Sequence, residues 1–305
     1  MGISWHEARA LIGLYKANGP FCRTATLGRQ CLHFDVSSVR RMFKDLGAVP
    51  QGSVDEFVAQ SPIFAEDFLR LLGATEVVSF DYSSYEGATI CHDMNLPLPE
   101  MYHNAFDIVY DGGSLEHIFD FPRAVGNCMN MPRESGLFIT ATPANNFMGH
   151  GFYQFSPELF FRLFSEENGF RLERMIAFDY REGGPWFDVQ DPAKLGKRVE
   201  LWGTGQRIVL WVIARKIKTI GGVRSLRLQQ SDYTALWAGP SAPPAVSSYP
   251  GVYRRLRRFA STALRDFYPP LIDSYRRLRA LIRWRREVRE RNLRFNKEAF
   301  KRVPY

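Results

Sequence analysis

Absences narrow what this sequence encodes before any motif is found. No apolar run is long enough to cross a bilayer: IVLWVIA at 208–214 is the longest, far short of the roughly 20 residues a spanning helix needs. The opening MGISWHEARALIGLY has no basic stretch followed by an apolar one, so no signal peptide is expected. Cysteine is scarce, at four residues: Cys22, Cys31, Cys91 and Cys128. None forms a CxxC pair, and neither Cys31 near His33 nor Cys91 beside His92 matches a zinc template. Reduced thiols in a cytoplasmic protein, and no metal, are the expectation. The GxGxxG turn of a NAD-dependent oxidoreductase is missing. Internal repeats are also absent.

The chain has 305 residues, 45% hydrophobic and 14% aromatic, enough for a well-buried core. Its charge is unevenly placed. Residues 252–305 hold 17 of the 40 Lys+Arg but only 5 of the 32 Asp+Glu, while the rest has 23 basic against 27 acidic residues. A mildly acidic body therefore carries a basic tail.

Periodicity divides the chain into four parts. Residues 1–20 read as an N-terminal helix on Trp5, Ala8, Leu11, Ile12 and Tyr15, stopped at Asn18-Gly19-Pro20. Residues 21–217 alternate strand and helix patterns: strands over 21–28, 75–83, within 88–99, 105–113, 135–143, 170–180 and 206–216, and helices over 62–73, after Gly113 through about Met131, and over 156–170. Such alternation predicts an α/β layered domain built on a mostly parallel sheet. No helical pattern separates the last two strands, so they are expected to pair as a hairpin and add one antiparallel strand. Residues 218–251 read as a linker rich in Gly, Ser, Ala and Pro. Residues 252–305 read as a basic helical tail broken at Pro269-Pro270.

In an open parallel sheet, ligands bind beyond the carboxyl ends of the strands. The informative positions are thus Gly28-Arg29-Gln30, Asp81-Tyr82-Ser83, His92-Asp93-Met94, Asp111-Gly112-Gly113 and Pro143 through Asn146. Three of these turns offer an acidic side chain. Such a rim suits a ligand with hydroxyls and an amine rather than a polyphosphate.

FDIVYDGGSLEHIFDFPRAVGN (106–127) resembles the fourth strand and following helix of class I S-adenosylmethionine (SAM)-dependent methyltransferases. DYSSYEGATICHDMNLPLP (81–99) is similar to the acidic end of the second strand and the adenine-side loop. GLFITATPANN with FYQFSPELFFRLFSEENGF, and then WVIARK, resemble the fifth strand, its helix and the last strand. The likeness runs from about residue 22 to 216 and implies a Rossmann-like methyltransferase fold with SAM as cofactor. The runs TLGRQ, HDMNLPLP, DGGSLEH and NNFMGHGFYQFSPELF further resemble a bacterial methyltransferase-like group found among glycan and polysaccharide biosynthesis proteins. That implies a sugar hydroxyl as acceptor.

Carried over by residue, the resemblance implies that Gly28, Arg29 and Gln30 lie beside the methionine portion of SAM. Asp81, with Tyr82 next to it, would accept from the ribose hydroxyls; Asp93, followed by Met94, from the adenine amino group. Asp111 and Gly112 would line the floor near the sulfonium. The chain departs from the family at the first loop, where only Gly28 stands in place of several glycines. A catalytically inactive binding or assembly module is the alternative. A sugar hydroxyl needs a general base, and His117 and His150 are the candidates, with Tyr153 and Asn146 positioning the acceptor.

Structural readings stand beside these. Asp81 and Gly112-Gly113 also suit simple turns, Glu116 suits the first turn of a helix, and His150 between two glycines suits an exposed loop. For residues 252–300 three partners compete: packing on the chain itself or an oligomer contact, an anionic membrane surface, and nucleic acid phosphates.

Overall fold

Runs of β-branched and aromatic residues ending in glycine or aspartate become strands, and capped amphipathic segments become the helices between them. The computed structural model describes residues 2–56, 63–201, 205–220, 228–238, 278–286, 288, 292 and 296–304. In chain order its elements begin with β1 (Gly2–Ile3), α1 (Trp5–Asn18), β2 (Cys22–Leu27), β3 (Cys31–Leu32), α2 (Val36–Leu46) and α3 (Glu66–Leu71). Then follow β4 (Ala74–Asp81), β5 (Ile90–Cys91), β6 (Phe106–Asp111), α4 (Phe121–Asn130), β7 (Pro132–Asn145) and α5 (Pro157–Leu163). The remainder is β8 (Phe170–Asp179), β9 (Trp186–Val189), α6 (Pro192–Leu195), β10 (Ile208–Lys216), α7 (Ser231–Ala238) and β11 (Phe300–Val303).

Nine strands form one sheet in the order β11-β9-β8-β10-β7-β6-β2-β4-β5, while β1 and β3 pair separately. The half from β7 to β5 is parallel throughout. The other half is antiparallel: β10 runs against both β7 and β8, and β9 runs against both β8 and β11. The expected hairpin of the last two strands is the β8–β10 pair. The sheet is nevertheless mixed, with as many antiparallel as parallel pairings, rather than mostly parallel. The excess comes from two short strands. β9 forms inside the insert after β8, where no helix intervenes to turn the chain back in parallel. β11 returns from the tail, because Ala299 and Phe300 are buried against the sheet edge.

The basic tail is thus not wholly helical: residues 278–286 are helix and 300–303 are strand, while 251–277 lie outside the described residues. Within the expected linker, residues 231–238 form α7. No helix among the described residues is long and apolar enough to cross a membrane.

Both sheet faces are covered. One carries α4 and α5 with Phe106, Val109, Phe138, Phe160 and Val212; the other carries α1, α2 and α3 with Ile108, Ile139 and Trp211. Ser4 caps α1 in a reciprocal capping box with Glu7. That box turns the Glu7 carboxyl inward, with consequences for the site.

Candidate functional site

The chain leaves β2 in both directions across the sheet, toward β4 and β5 on one side and β6 and β7 on the other. Ligands are expected beyond the carboxyl ends of the strands at such a switch point, and the turns after β2 and β6 meet there. The β2 turn is made by Gly28, whose φ of +73° lets the chain turn back over the sheet, and by Gln30. Gln30 Nε2 donates to Leu27 O, and its Oε1 is buried without a hydrogen-bond partner. Opposite lies Gly112, where a Cβ would fall on the Gln30 side chain. Glycine at this position lets the two turns meet.

The floor is acidic and dry. Asp111 is fully buried; its Oδ2 accepts from Thr140 Oγ1 at 2.6 Å and its Oδ1 from Ser114 N at 2.8 Å. Burial raises its pKa above the ordinary carboxylate range, against the pull of those bonds. Glu116 is 1% exposed, with Oε2 unpartnered. Burial, and then the charge of Asp111, push it up. Glu7 on α1 is the third buried acid, raised by burial to about 7 although Ser4 hydrogen-bonds to it. Tyr110 Oη, also buried and unpartnered, is pushed up by burial and by Glu7 and Asp111. Each of these groups favours its uncharged form because water is excluded.

The turns on the β4 side differ. Arg29 is committed: Nε donates to Glu66 Oε1 at 2.7 Å, Nη1 to Glu86 O at 2.8 Å, and the guanidinium stacks 3.8 Å over Phe64. It ties the β2 turn to α3 and to the loop after β4. Asp81 sits half-buried at the end of β4, beside the 78%-exposed Tyr82. Asp93 accepts from Asn95 N and Nδ2 at 2.9 and 2.8 Å, and these bonds lower its pKa. Met94 points into the core and offers only its backbone oxygen, to Asn127.

At the mouth, His117 and His150 come together with ring centroids 5.0 Å apart. Leu115–His117 forms a short 3₁₀ turn separate from α4, with Glu116 in its first turn and no side-chain cap. Tyr153 Oη donates to Phe119 O at 2.6 Å. Asn146 reaches away to Gln206 O at 2.6 Å. Two participants escape sequence reasoning. Glu7 was hidden on the apolar stripe of α1, although Ser4-x-x-Glu7 is a capping-box signature. Gly151, with φ +72°, admits the Glu116 backbone where a Cβ would stand 2.7 Å from its oxygen.

No family model matches the chain, and no curated protein matches it in sequence. Solved structures do overlap with it. The 1,6-didemethyltoxoflavin-N1-methyltransferase of Burkholderia thailandensis, solved with its substrate and S-adenosylhomocysteine (SAH), is 12% identical over 70% of this chain and 78% of its own, with a TM-score of 0.36. The N-methyltransferase NodS of Bradyrhizobium japonicum, solved with SAH, is 10% identical over 70% of this chain and 87% of its own, with a TM-score of 0.37. YcgJ of Bacillus subtilis is 10% identical over 70% of this chain and all of its own, with a TM-score of 0.37. Likeness of this size assigns neither activity nor ligand to the chain.

Proposed function

We propose that this chain is a SAM-dependent methyltransferase acting on a hydroxyl-bearing acceptor of the glycan class. One observation carries the reading: the turns after β2, β4, β5 and β6 gather oxygen acceptors, and the arginine among them is already engaged. Gln30 Oε1 and Glu116 Oε2 lack partners, Asp81 and Asp93 stand on the rim, and the Arg29 guanidinium is already bound to Glu66. A cationic ligand with hydroxyls and an amino group satisfies that set, and a polyphosphate does not.

SAM supplies an electrophilic methyl group on a sulfonium, transferred by in-line displacement. Asp81 would hold the ribose hydroxyls and Asp93 the amino group of the base, with Tyr82 beside them. Gly28 and Gly112 bring backbone close, and Gln30 supplies an acceptor at the methionine end. Asp111 acts from behind, fixing the turn that carries Gly112 through its bond to Ser114 N. The chain's contribution to rate would be alignment and exclusion of water. Partial desolvation and the neighbouring His150 lower the pKa of the exposed His117, which favours the neutral ring as a base for the acceptor's proton; His150 is the second candidate base. Tyr153 shapes the acceptor side through its bond to Phe119.

Calorimetric titration with SAM and SAH tests this reading. Saturable binding is expected, weakened about tenfold or more in Asp81→Asn, since a hydrogen bond to a charged group contributes about 1.5–3 kcal/mol. One observation favours a second reading, a binding or assembly module without turnover: Arg29 stands where the resembled family has glycines and closes on Glu66 and Glu86. No binding at millimolar ligand would select it.

The tail adds a partner proposal. Leu278, Leu281, Ile282 and Trp284 stand 42–58% exposed, among Arg279, Arg283, Arg285 and Arg286. Their exposure speaks against packing of this segment on its own domain. It supports contact with an anionic membrane surface or a second copy of the chain, and nucleic acid ranks behind both. Co-sedimentation with anionic against neutral liposomes distinguishes the first.

A further inference from the structure

We propose that Glu116, His117 and His150 form a site for one divalent transition-metal ion of the zinc class. Local spacing does not reveal this site, because its third member comes from the loop after β7. The ligand atoms of the three side chains lie within 4.8 Å of one another, and Glu116 Oε1 is 3.5 Å from His150 Nε2. Donors about 2.0–2.2 Å from a tetrahedral zinc stand roughly 3.3–3.6 Å apart, so the Glu116–His150 pair already has that spacing. His117 is exposed, and its ligand atom lies within 4.8 Å of the other two.

The site is built around the carboxylate. Glu116 is buried, its Oε2 has no hydrogen-bond partner among the described residues, and no Lys or Arg is paired with it there. A buried carboxyl without a partner is costly to ionise, and a dication that displaces its proton would stabilise the carboxylate. Two glycines make room: a Cβ on Gly113 would stand 3.0 Å from Glu116 Oε1, and Gly151 admits the Glu116 backbone. The loop that carries His150 is fastened to the turn that carries the other two ligands. Phe152 N donates to Glu116 O at 2.7 Å and Tyr153 N at 3.3 Å. His150 N donates to Phe147 O at 2.9 Å, and Phe147 N to Gln154 Oε1 at 2.9 Å. The three ligands are thus positioned before any ion arrives.

The donor set decides the metal. Two imidazoles and one carboxylate favour zinc and its late first-row neighbours over magnesium and calcium, which take oxygen. Three protein ligands leave a fourth position open. An acceptor hydroxyl bound there would have its pKa lowered and would release its proton to solvent, in place of direct transfer to His117 or His150, whose lone pairs the ion would hold. The binding site itself does not rest on the methyl-transfer reading, since metal alone reports it.

The full chain, stripped with a chelator and dialysed, should be titrated with Zn²⁺ by calorimetry and with Co²⁺ by visible absorption. One equivalent of each is expected, with a Co²⁺ spectrum lacking thiolate charge-transfer bands, and no heat from Mg²⁺. His150→Ala and His117→Ala should each weaken Zn²⁺ binding about a hundredfold, a loss at the upper end of what even outer-sphere changes produce. Both histidines are exposed, so these variants should keep the wild-type circular dichroism even where Glu116→Gln fails to fold. The absence of saturable binding, or binding unchanged in both histidine variants, would overturn the proposal.

Discussion

Replacing Glu7 with glutamine should make the protein more stable at neutral and alkaline pH while changing little in acid. The carboxyl is 5% exposed, and burial raises its pKa from 4.5 to about 7. A folded-state pKa above the unfolded one means that the native state binds the extra proton. Stability is then full below pH 4.5 and falls as pH rises toward 7. The shift of about 2.5 units corresponds to about 3 kcal/mol at about 1.4 kcal/mol per unit. Glutamine keeps an oxygen to accept from Ser4 N and has no proton to lose. Urea unfolding of both proteins, followed by circular dichroism at half-unit intervals from pH 4.5 to 8, measures the difference. The advantage of Glu7→Gln should grow by about 3 kcal/mol across that window and level off above pH 7. A difference that is flat with pH, or that shrinks, would refute the claim that Glu7 is buried without a countercharge.

Other perturbations have defined outcomes. Lys216→Met removes the ammonium that donates to Asn104 Oδ1, Met129 O and Asn130 O; Asn104 Oδ1 and Asn130 O keep other donors, so thermal unfolding should show a loss of about 1–3 kcal/mol from the buried Met129 O. Phe160→Ala, at a fully buried position between Phe155 and Phe164, should cost about 3–5 kcal/mol in denaturant unfolding. Gly112→Ala sets a methyl group against Gln30 and should lower the melting temperature and weaken SAH binding together. If His117→Ala and His150→Ala both keep full turnover with an identified acceptor, the base assignment is wrong.

The sequence carries the parallel half of the sheet openly. Val77–Asp81 and Ile108–Asp111 are apolar runs closed by an acidic residue, and burial on both faces is what such runs require. Residues 300–303 give no such sign. FKRV has one buried side chain, and its pairing with β9 depends on a contact more than a hundred residues away in the chain. Asp35 and Gly47, a side-chain N-cap and a left-handed C-cap, delimit α2, and its buried Val39, Met42 and Phe43 share one helical face. Asp81 and Asp111 end strands, as the apolar runs before them imply, whereas Asp93 lies in the loop after β5. The joining of Glu116 and His117 with His150 is not legible in the sequence, because it is made by two backbone bonds to Glu116 O rather than by spacing.

Hydrogen–deuterium exchange of the full chain with and without SAH tests the central claim most directly. Protection is expected only in the turns at Gly28–Gln30, Asp81–Ser83, Asp93–Asn95 and Gly112–Ser114. Protection elsewhere, or no change at saturating SAH, would contradict the claim.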